Sequence, residues 1–165
     1  MISENEYFGD LKSISAKNDQ WIVSDGNLEY SGNISIPDFE NSSEISDSNI
    51  PLDDAVETIE PNARIQIIIE FCSVFSVPTI FFEISTNSES LPPEWIWKNI
   101  FNEKDFIGKI SFEASKSGRR MIRLHPCTTA KILTGLSNSP NKTASLLNIL
   151  LQTFIKLDKN IFINF

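Results

Sequence analysis

The sequence predicts an α+β fold in which an antiparallel β-sheet is backed by N-terminal and C-terminal helices. Three observations predict this class. An amphipathic helical pattern opens the chain, alternating and β-branched runs fill its middle, and a strong helical period returns after residue 143. With 165 residues, 41% of them hydrophobic, the chain suits a single domain over residues 1–165 with a sizeable core.

The first predicted element is a helix over residues 4–16. Ser3 and Glu6 have the spacing of a capping box, in which each residue satisfies a backbone N–H of the other. The apolar side chains that follow fall on one helical stripe, which comprises Tyr7, Phe8, Leu11 and Ile14. Such a stripe indicates packing against a core.

Three pairs of strands follow, each pair with a turn between its members. The Asp25-Gly26 pair is typical of a tight hairpin. A second turn is expected near residues 76–78 and a third near residues 116–118. The predicted strands cover residues 21–23, 28–36, 63–75, 77–85, 111–113 and 120–124.

Helices account for most of the remaining segments. The Pro92-Pro93 pair introduces a short helix up to residue 101, in which Trp95 and Trp97 cannot both lie on one narrow stripe. A turn of helix is expected at residues 129–133 and a loop at 135–142. A core-facing helix then runs from residue 143 to 157, and residues 160–165 are apolar enough to pack, with a short strand as one option.

Charge is unevenly distributed along the chain. Residues 37–62 contain eight carboxylates and no Lys or Arg. The negative charge of this segment equals the whole net charge of -8. This acidic segment is predicted to be a flexible loop, and a basic surface is the natural target if it binds anything. An acidic chain without a nucleic-acid motif disfavours nucleic-acid binding.

The composition also indicates the compartment. Residues 65–82 approach the length of a membrane span, but they contain Gln66, Glu70 and Pro78, so two strands are expected there and no transmembrane segment. Two cysteines give no disulfide framework, and no signal peptide is apparent. A cytoplasmic location is therefore expected.

Residues 119–130 contain the candidate reactive site. They hold the only histidine, His125, and one of the two cysteines, Cys127. Because Pro126 biases His125 toward an extended backbone, the two side chains are expected on one face at a strand end. Nearby cations favour the thiolate and a covalent role for Cys127; the local excess comes from Lys109, Lys116, Arg119, Arg120, Arg123 and Lys131. A small buried packing residue is the alternative for Cys127, and the simplest interpretation of Cys72.

The triplet His125-Pro126-Cys127, in a small chain with a helical C-terminal segment, resembles the E2-like enzymes of autophagy. These enzymes carry a ubiquitin-like protein as a thioester and pass it to an amine. In the lipid-conjugating family, a histidine usually follows two residues after the cysteine. Thr129 at that position, and a length of 165 residues, resemble the family of autophagy-related protein 10.

The resemblance implies an E2-like core and the function of a conjugating enzyme. Cys127 would accept a ubiquitin-like protein from an E1 and transfer it to a lysine of an acceptor protein. His125 is expected to tune the thiol or hold that lysine. The oxyanion donor is left open between a backbone N–H after Cys127 and the hydroxyls of Thr128 and Thr129. Phe75 matches a position where the family commonly has a tyrosine near the cysteine.

The resemblance also supplies the expected partners. The donor is autophagy-related protein 12, the E1 is autophagy-related protein 7 and the acceptor is autophagy-related protein 5, with recruitment to the preautophagosomal membrane through these partners. No cofactor or metal is expected, because no zinc set, P-loop or dinucleotide fingerprint is present. Three alternatives stay open: a lipid-conjugating E2, a catalytically silent binding module of the same fold, and a cysteine protease or acyltransferase.

Overall fold

The first helix, α1, spans Glu4–Lys17 and confirms the predicted capping box. The Ser3 hydroxyl accepts the backbone N–H of Glu6, and the Glu6 carboxylate accepts the backbone N–H of Ser3. Tyr7, Leu11 and Ile14 are buried on the predicted stripe. The Tyr7 hydroxyl donates to a backbone carbonyl of the sheet, that of Ile69, at 2.8 Å, which fixes the helix against the sheet.

A computed structural model describes residues 1–35, 62–86, 89–92, 95–96, 110–116, 118–154 and 163. Within these ranges one antiparallel sheet has the strand order β1-β2-β3-β4-β7-β6, and a short β5 pairs with β4. The strands are β1 Trp21–Ser24, β2 Asn27–Ser35, β3 Asn62–Cys72, β4 Val77–Thr86, β5 Glu89–Ser90, β6 Ile110–Ala114 and β7 Arg120–Leu124. The acidic segment predicted to be flexible, 37–62, lies outside the described residues apart from Asn62.

The hairpin between β1 and β2 forms at the predicted position. Asp25 and Gly26 have φ angles of 48° and 78°. Two consecutive residues at positive φ are what a type I′ turn requires, and this turn matches the twist of the flanking strands. The register places Ser24 opposite Asn27 and Trp21 opposite Tyr30, so the two-residue loop is as tight as the sequence predicts.

The turn between β3 and β4 differs from the prediction. β3 ends at Cys72 instead of continuing to Phe75, and the connection consists of the four turn residues 73–76. Ser76 adopts a φ of 52°, which turns the backbone, and Pro78 already lies within β4 opposite Phe71. As a result Val74 and Phe75 project from a turn, and their side chains are 85% and 43% exposed.

The hairpin of β6 and β7 has its turn where the sequence predicts it, with Gly118 at a φ of 81°. This turn reaches back to β3, because the backbone N–H of Lys116 donates to Glu70 at 2.8 Å and Arg119 donates to Gln66. A small apolar cluster of Ile68, Phe81 and Met121 is separate from the main core. Since side chains alternate along a strand, this cluster lies on the sheet face opposite that core.

Two further helices pack on the core face of the sheet, α2 Pro126–Thr134 and α3 Lys142–Phe154. Asp10 of α1 caps α3 by accepting the backbone N–H of Thr143 at 2.9 Å, which ties α1 to α3. The predicted terminal helix is confirmed up to Phe154, and residues 155–162 lie outside the described ranges. No helix in the described part of the chain is both long and apolar enough to cross a bilayer.

Other predicted segments are described only in part. Trp95 and Ile96 form a helical turn whose backbone N–H groups donate to the carbonyl of Pro92. Trp95 is half-buried, whereas Trp97 and the rest of the predicted 91–101 helix lie outside the described residues. Of residues 160–165, Ile163 alone is described: it is buried and exchanges two hydrogen bonds with the Asn148 side chain.

Candidate active site

The candidate site lies where β7 ends and α2 begins. His125 is extended, with φ -62° and ψ 131°, and serves as the N-cap of α2. Pro126 is the first helical residue, a position that its fixed φ suits. The prediction that the extended run continues through Cys127 is therefore wrong, because Cys127 lies in the first helical turn.

The imidazole of His125 nevertheless contacts the thiol. Its Nδ1 atom lies 2.6 Å from Sγ of Cys127 and also accepts the backbone N–H of Cys127 at 3.1 Å. Both side chains are exposed. The expectation that His125 and Cys127 share one side is thus met by a different geometry, in which the capping side chain folds over the first turn of the helix.

This arrangement restricts the state of the imidazole. Nδ1 has one lone pair, so it accepts the backbone N–H only when it carries no proton. The thiol proton can move to that lone pair, which leaves a thiolate beside an imidazolium. The same transfer releases the N–H of Cys127 from its cap. The thiol and the backbone N–H of Cys127 thus compete for one nitrogen of His125.

Phe75 contributes the third side chain of the site. Its ring centroid lies 6.3 Å from that of His125, with an interplanar angle of 64°. The β3–β4 turn thus borders the imidazole through an aromatic edge contact. Phe75 has no hydroxyl, so it supplies shape and apolar surface at this position and no hydrogen bond.

The two threonines after the cysteine take different positions. Thr128 is half-buried, and its backbone N–H donates to the carbonyl of His125 at 3.0 Å. Thr129 is fully buried, and its hydroxyl oxygen has no hydrogen-bond partner. Residues two apart on a helix lie about 200° apart around its axis, so the Thr129 side chain points away from the face that carries Cys127. The structure does not bring this hydroxyl to the thiol.

Several basic residues of the predicted positive cluster around Cys127 engage other side chains. Arg120 begins β7, about 16 Å along the strand from His125, and stacks over Phe112. Arg123 forms an ion pair with Glu113. Arg119 donates a hydrogen bond to Gln66. Each of these three arginines therefore has a partner outside the His125–Cys127 pair. Lys116 is exposed, and Lys109 lies outside the described residues.

Lys131 is the basic residue that shares a helix with Cys127. It is exposed and lies four residues further along α2. Residues four apart on a helix are neighbours on one face, so the Cβ atoms of Lys131 and Cys127 lie about 5–6 Å apart. The sequence pattern alone does not distinguish Lys131 from the other nearby positive charges.

Glu113 of β6 provides a negative charge beside Arg123 near this end of β7. A hydrogen bond from the Ser111 hydroxyl, then one from the Arg123 guanidinium, hold the pKa of Glu113 below its usual range. His125 adds a smaller electrostatic contribution to this lowering. The carboxylate of Glu113 therefore offsets the positive charge of Arg123, which lies two residues before His125.

Cys72 is separate from this arrangement. It ends β3, is half-buried and packs against the main core, as the sequence interpretation expects. Both cysteines are free thiols. Across the described ranges, no group of three or more His, Cys, Asp or Glu side chains is placed to hold a metal ion.

The sequence also matches a known family, and this match agrees with the geometry of the site. The sequence matches the family described as Autophagocytosis associated protein, active-site domain, over residues 5–162. No curated protein matches the sequence. The match covers nearly the whole chain, and an α+β fold with an exposed cysteine next to a histidine agrees with an active-site domain. The chain belongs to this family, that of the E2-like conjugating enzymes of autophagy.

Proposed function

We propose that Cys127 carries a ubiquitin-like protein as a thioester and transfers it to a lysine of an acceptor protein. The observation that carries this proposal is the exposed thiol of Cys127 with Nδ1 of His125 at 2.6 Å, at the start of a helix. Family membership supports the E2-like class of reaction. The thioester and the identity of each partner are proposals.

The first half of the proposed reaction loads the enzyme. The thiol proton of Cys127 moves to Nδ1 of His125, and the thiolate attacks the carbonyl carbon of the E1 thioester. A new carbon–sulfur bond forms to Cys127, the bond to the E1 sulfur breaks, and the E1 thiolate leaves. This step exchanges one thioester for another, so it needs no further source of energy.

The second half delivers the ubiquitin-like protein. The neutral amine of the acceptor lysine attacks the thioester carbonyl, and the carbon–sulfur bond to Cys127 breaks. An isopeptide bond forms, the nitrogen loses a proton, and Cys127 leaves as a thiolate. His125 is close enough to the sulfur to receive or return a proton in either half of the reaction.

The backbone N–H of Cys127 is our candidate donor to the oxyanion. In the resting site it donates to Nδ1 of His125, and protonation of that nitrogen releases it. It lies at the N-terminus of α2, where the helix dipole favours negative charge. The buried Thr129 hydroxyl is a weaker candidate, because it faces away from Cys127.

The partners are proposed from the family. The donor is autophagy-related protein 12, the E1 is autophagy-related protein 7, and the acceptor is autophagy-related protein 5. We place the reaction in the cytoplasm, with recruitment to the preautophagosomal membrane through these proteins. Thr129, at a position where the lipid-conjugating family usually has a histidine, supports a protein acceptor over a lipid amine.

A charging assay tests the proposal. The protein is incubated with the E1, the ubiquitin-like protein and ATP, then separated on gels with and without dithiothreitol. We expect a larger band that reductant removes. Cys127→Ser should replace it with a reductant-stable, hydroxide-sensitive oxyester, or abolish it. Cys72→Ser is the matched control, because it removes the other thiol and should leave the band intact.

The acceptor is identified in the same assay. Charged enzyme is chased with the acceptor protein or with vesicles that contain phosphatidylethanolamine. Transfer to the protein supports the proposal, and robust transfer to the lipid assigns the alternative, lipid-conjugating class. A failure of Cys127 to charge beside an active E1 would contradict the proposal and favour a binding module or a cysteine hydrolase.

A further inference from the structure

Lys131 and Cys127 occupy one exposed face of α2. They are four residues apart within the helix Pro126–Thr134, and both side chains are exposed. At this spacing the Cβ atoms are about 5–6 Å apart. The positions are fixed by packing, because Pro126, Thr129 and Leu133 on the other side of the helix are buried.

The geometry of an α-helix also favours an approach of the Lys131 side chain to the cysteine. On an α-helix the Cα–Cβ bonds tilt toward the N-terminus, so a side chain lies over the turn that precedes it. For Lys131 that turn contains Cys127. No described residue binds the Lys131 ammonium, whereas Lys142 on α3 is held by Glu6 at 3.1 Å. Among the described residues nothing therefore holds this amine away from an acyl group on Sγ.

We infer that Lys131 is a self-modification site, to which the ubiquitin-like protein moves from Cys127 within the same molecule. This inference rests on the proposed function of Cys127. The neutral Lys131 amine attacks the thioester carbonyl, the carbon–sulfur bond breaks, and an isopeptide bond forms. The nitrogen loses one proton and the Cys127 thiolate takes one up, so no additional reactant is needed.

Proximity explains why this transfer competes with hydrolysis. The amine and the thioester are held on one rigid helix, and well-oriented intramolecular groups have very high effective concentrations. An acceptor protein offers a competing amine. Self-modification therefore accumulates when charged enzyme lacks its acceptor, and it leaves the ubiquitin-like protein beside Cys127, where it obstructs the next loading.

The experiment is a single-round chase. The enzyme is charged by the E1, loading is stopped by removal of Mg²⁺ with a chelator, and aliquots are analysed with and without dithiothreitol while no acceptor is present. We expect the reductant-sensitive band to decay into a reductant-resistant band whose branched peptide contains Lys131. The conversion rate should not change when the charged enzyme is diluted about tenfold, because the transfer is intramolecular.

Two variants give the matched comparison. Lys131→Arg keeps the charge but removes the nucleophilic amine, and should reduce the resistant band about tenfold or more while charging remains normal. Lys12→Arg alters another exposed lysine, on α1, and should change neither band.

Each other outcome overturns the inference. A resistant band that maps elsewhere, or survives Lys131→Arg, excludes this residue as the site. Normal charging without any resistant band refutes self-modification and leaves the proposed function standing. If Lys131→Arg lowers charging itself, the residue serves the loading step instead. If the wild-type enzyme does not charge, the proposed function fails, and this inference fails with it.

Discussion

Nδ1 of His125 lies 2.6 Å from Sγ of Cys127 and accepts the backbone N–H of the same residue at 3.1 Å. A single nitrogen thus caps α2 and contacts the thiol. Because Nδ1 has one lone pair, the cap and the protonated imidazole exclude each other. The start of the helix and the reactivity of the thiol are therefore coupled, and substitutions at residue 125 can separate the two roles.

His125→Asn should preserve the cap and impair the chemistry. An Asn side chain is a good N-cap, so we expect a free energy of unfolding close to that of the wild type. It cannot take the thiol proton, so alkylation of Cys127 by iodoacetamide at neutral pH should slow by about tenfold or more. Alkylation rates, measured in a Cys72→Ser background, check this.

His125→Ala is the companion variant, which loses both roles. We expect the same slow alkylation together with a loss of about 1 kcal/mol in the free energy of unfolding, measured by urea titration. If His125→Asn alkylates as fast as the wild type, the imidazole does not activate the thiol. If His125→Ala is as stable as the wild type, the capping hydrogen bond contributes nothing to the folded state.

Phe75→Ala tests the aromatic contact on the imidazole. Edge-to-face aromatic contacts contribute about 0.5–1.5 kcal/mol, so removal of this ring should loosen His125 and slow alkylation of Cys127 by about two- to tenfold. Val74→Ala is the control on the same turn, since Val74 is 85% exposed and no ring contact joins it to His125. If the two substitutions slowed alkylation of Cys127 equally, the effect would come from the turn in general and not from the ring of Phe75.

Local sequence patterns are sufficient to predict the structure where neighbouring residues determine the conformation. The pairing of Ser3 with Glu6 and the Asp25-Gly26 turn are each decided within four residues, and the structure confirms both. The helix around Leu147 is likewise predicted by its own apolar period. The residues around the His125-Pro126-Cys127 triplet predict Cys127 as the candidate nucleophile, and the structure adds its exposure and its contact with His125.

The errors arose where the conformation depends on one unusual residue or on distant partners. β3 stops before Phe75 because residues 73–76 form a turn, in which Ser76 adopts a positive φ that its residue type does not predict. The start of α2 could have been predicted from Pro126, since proline is favoured at the first helical position. The pairing of Arg123 with Glu113 requires the β6–β7 register, which no local pattern supplies.

Thr129→Val tests whether the buried hydroxyl has a chemical role. Its oxygen is buried without a partner, and an unsatisfied buried hydroxyl is destabilising. Valine has the same shape without that group, so we expect the free energy of unfolding to rise by about 1 kcal/mol and charging to be unchanged. Thr129→Ser, which keeps the hydroxyl and loses a methyl group, should instead lose about 1 kcal/mol. A loss of charging in Thr129→Val would assign the hydroxyl to the reaction.

Glu113→Gln tests the ion pair with Arg123 through its pH dependence. The folded state lowers the pKa of Glu113 from its ordinary value of 4.5, so the carboxylate contributes stability above that pH and loses it as the pH falls through the lowered value. The Glu113 side chain is 43% exposed, so solvent screening limits the contribution to about 1 kcal/mol or less. We expect the variant to be less stable than the wild type at pH 7, with a gap that narrows at pH 3 and in high salt, as measured by urea unfolding midpoints. A gap that stays constant with pH would show that the substitution acts through packing, and that the charge on Glu113 does not stabilise the fold.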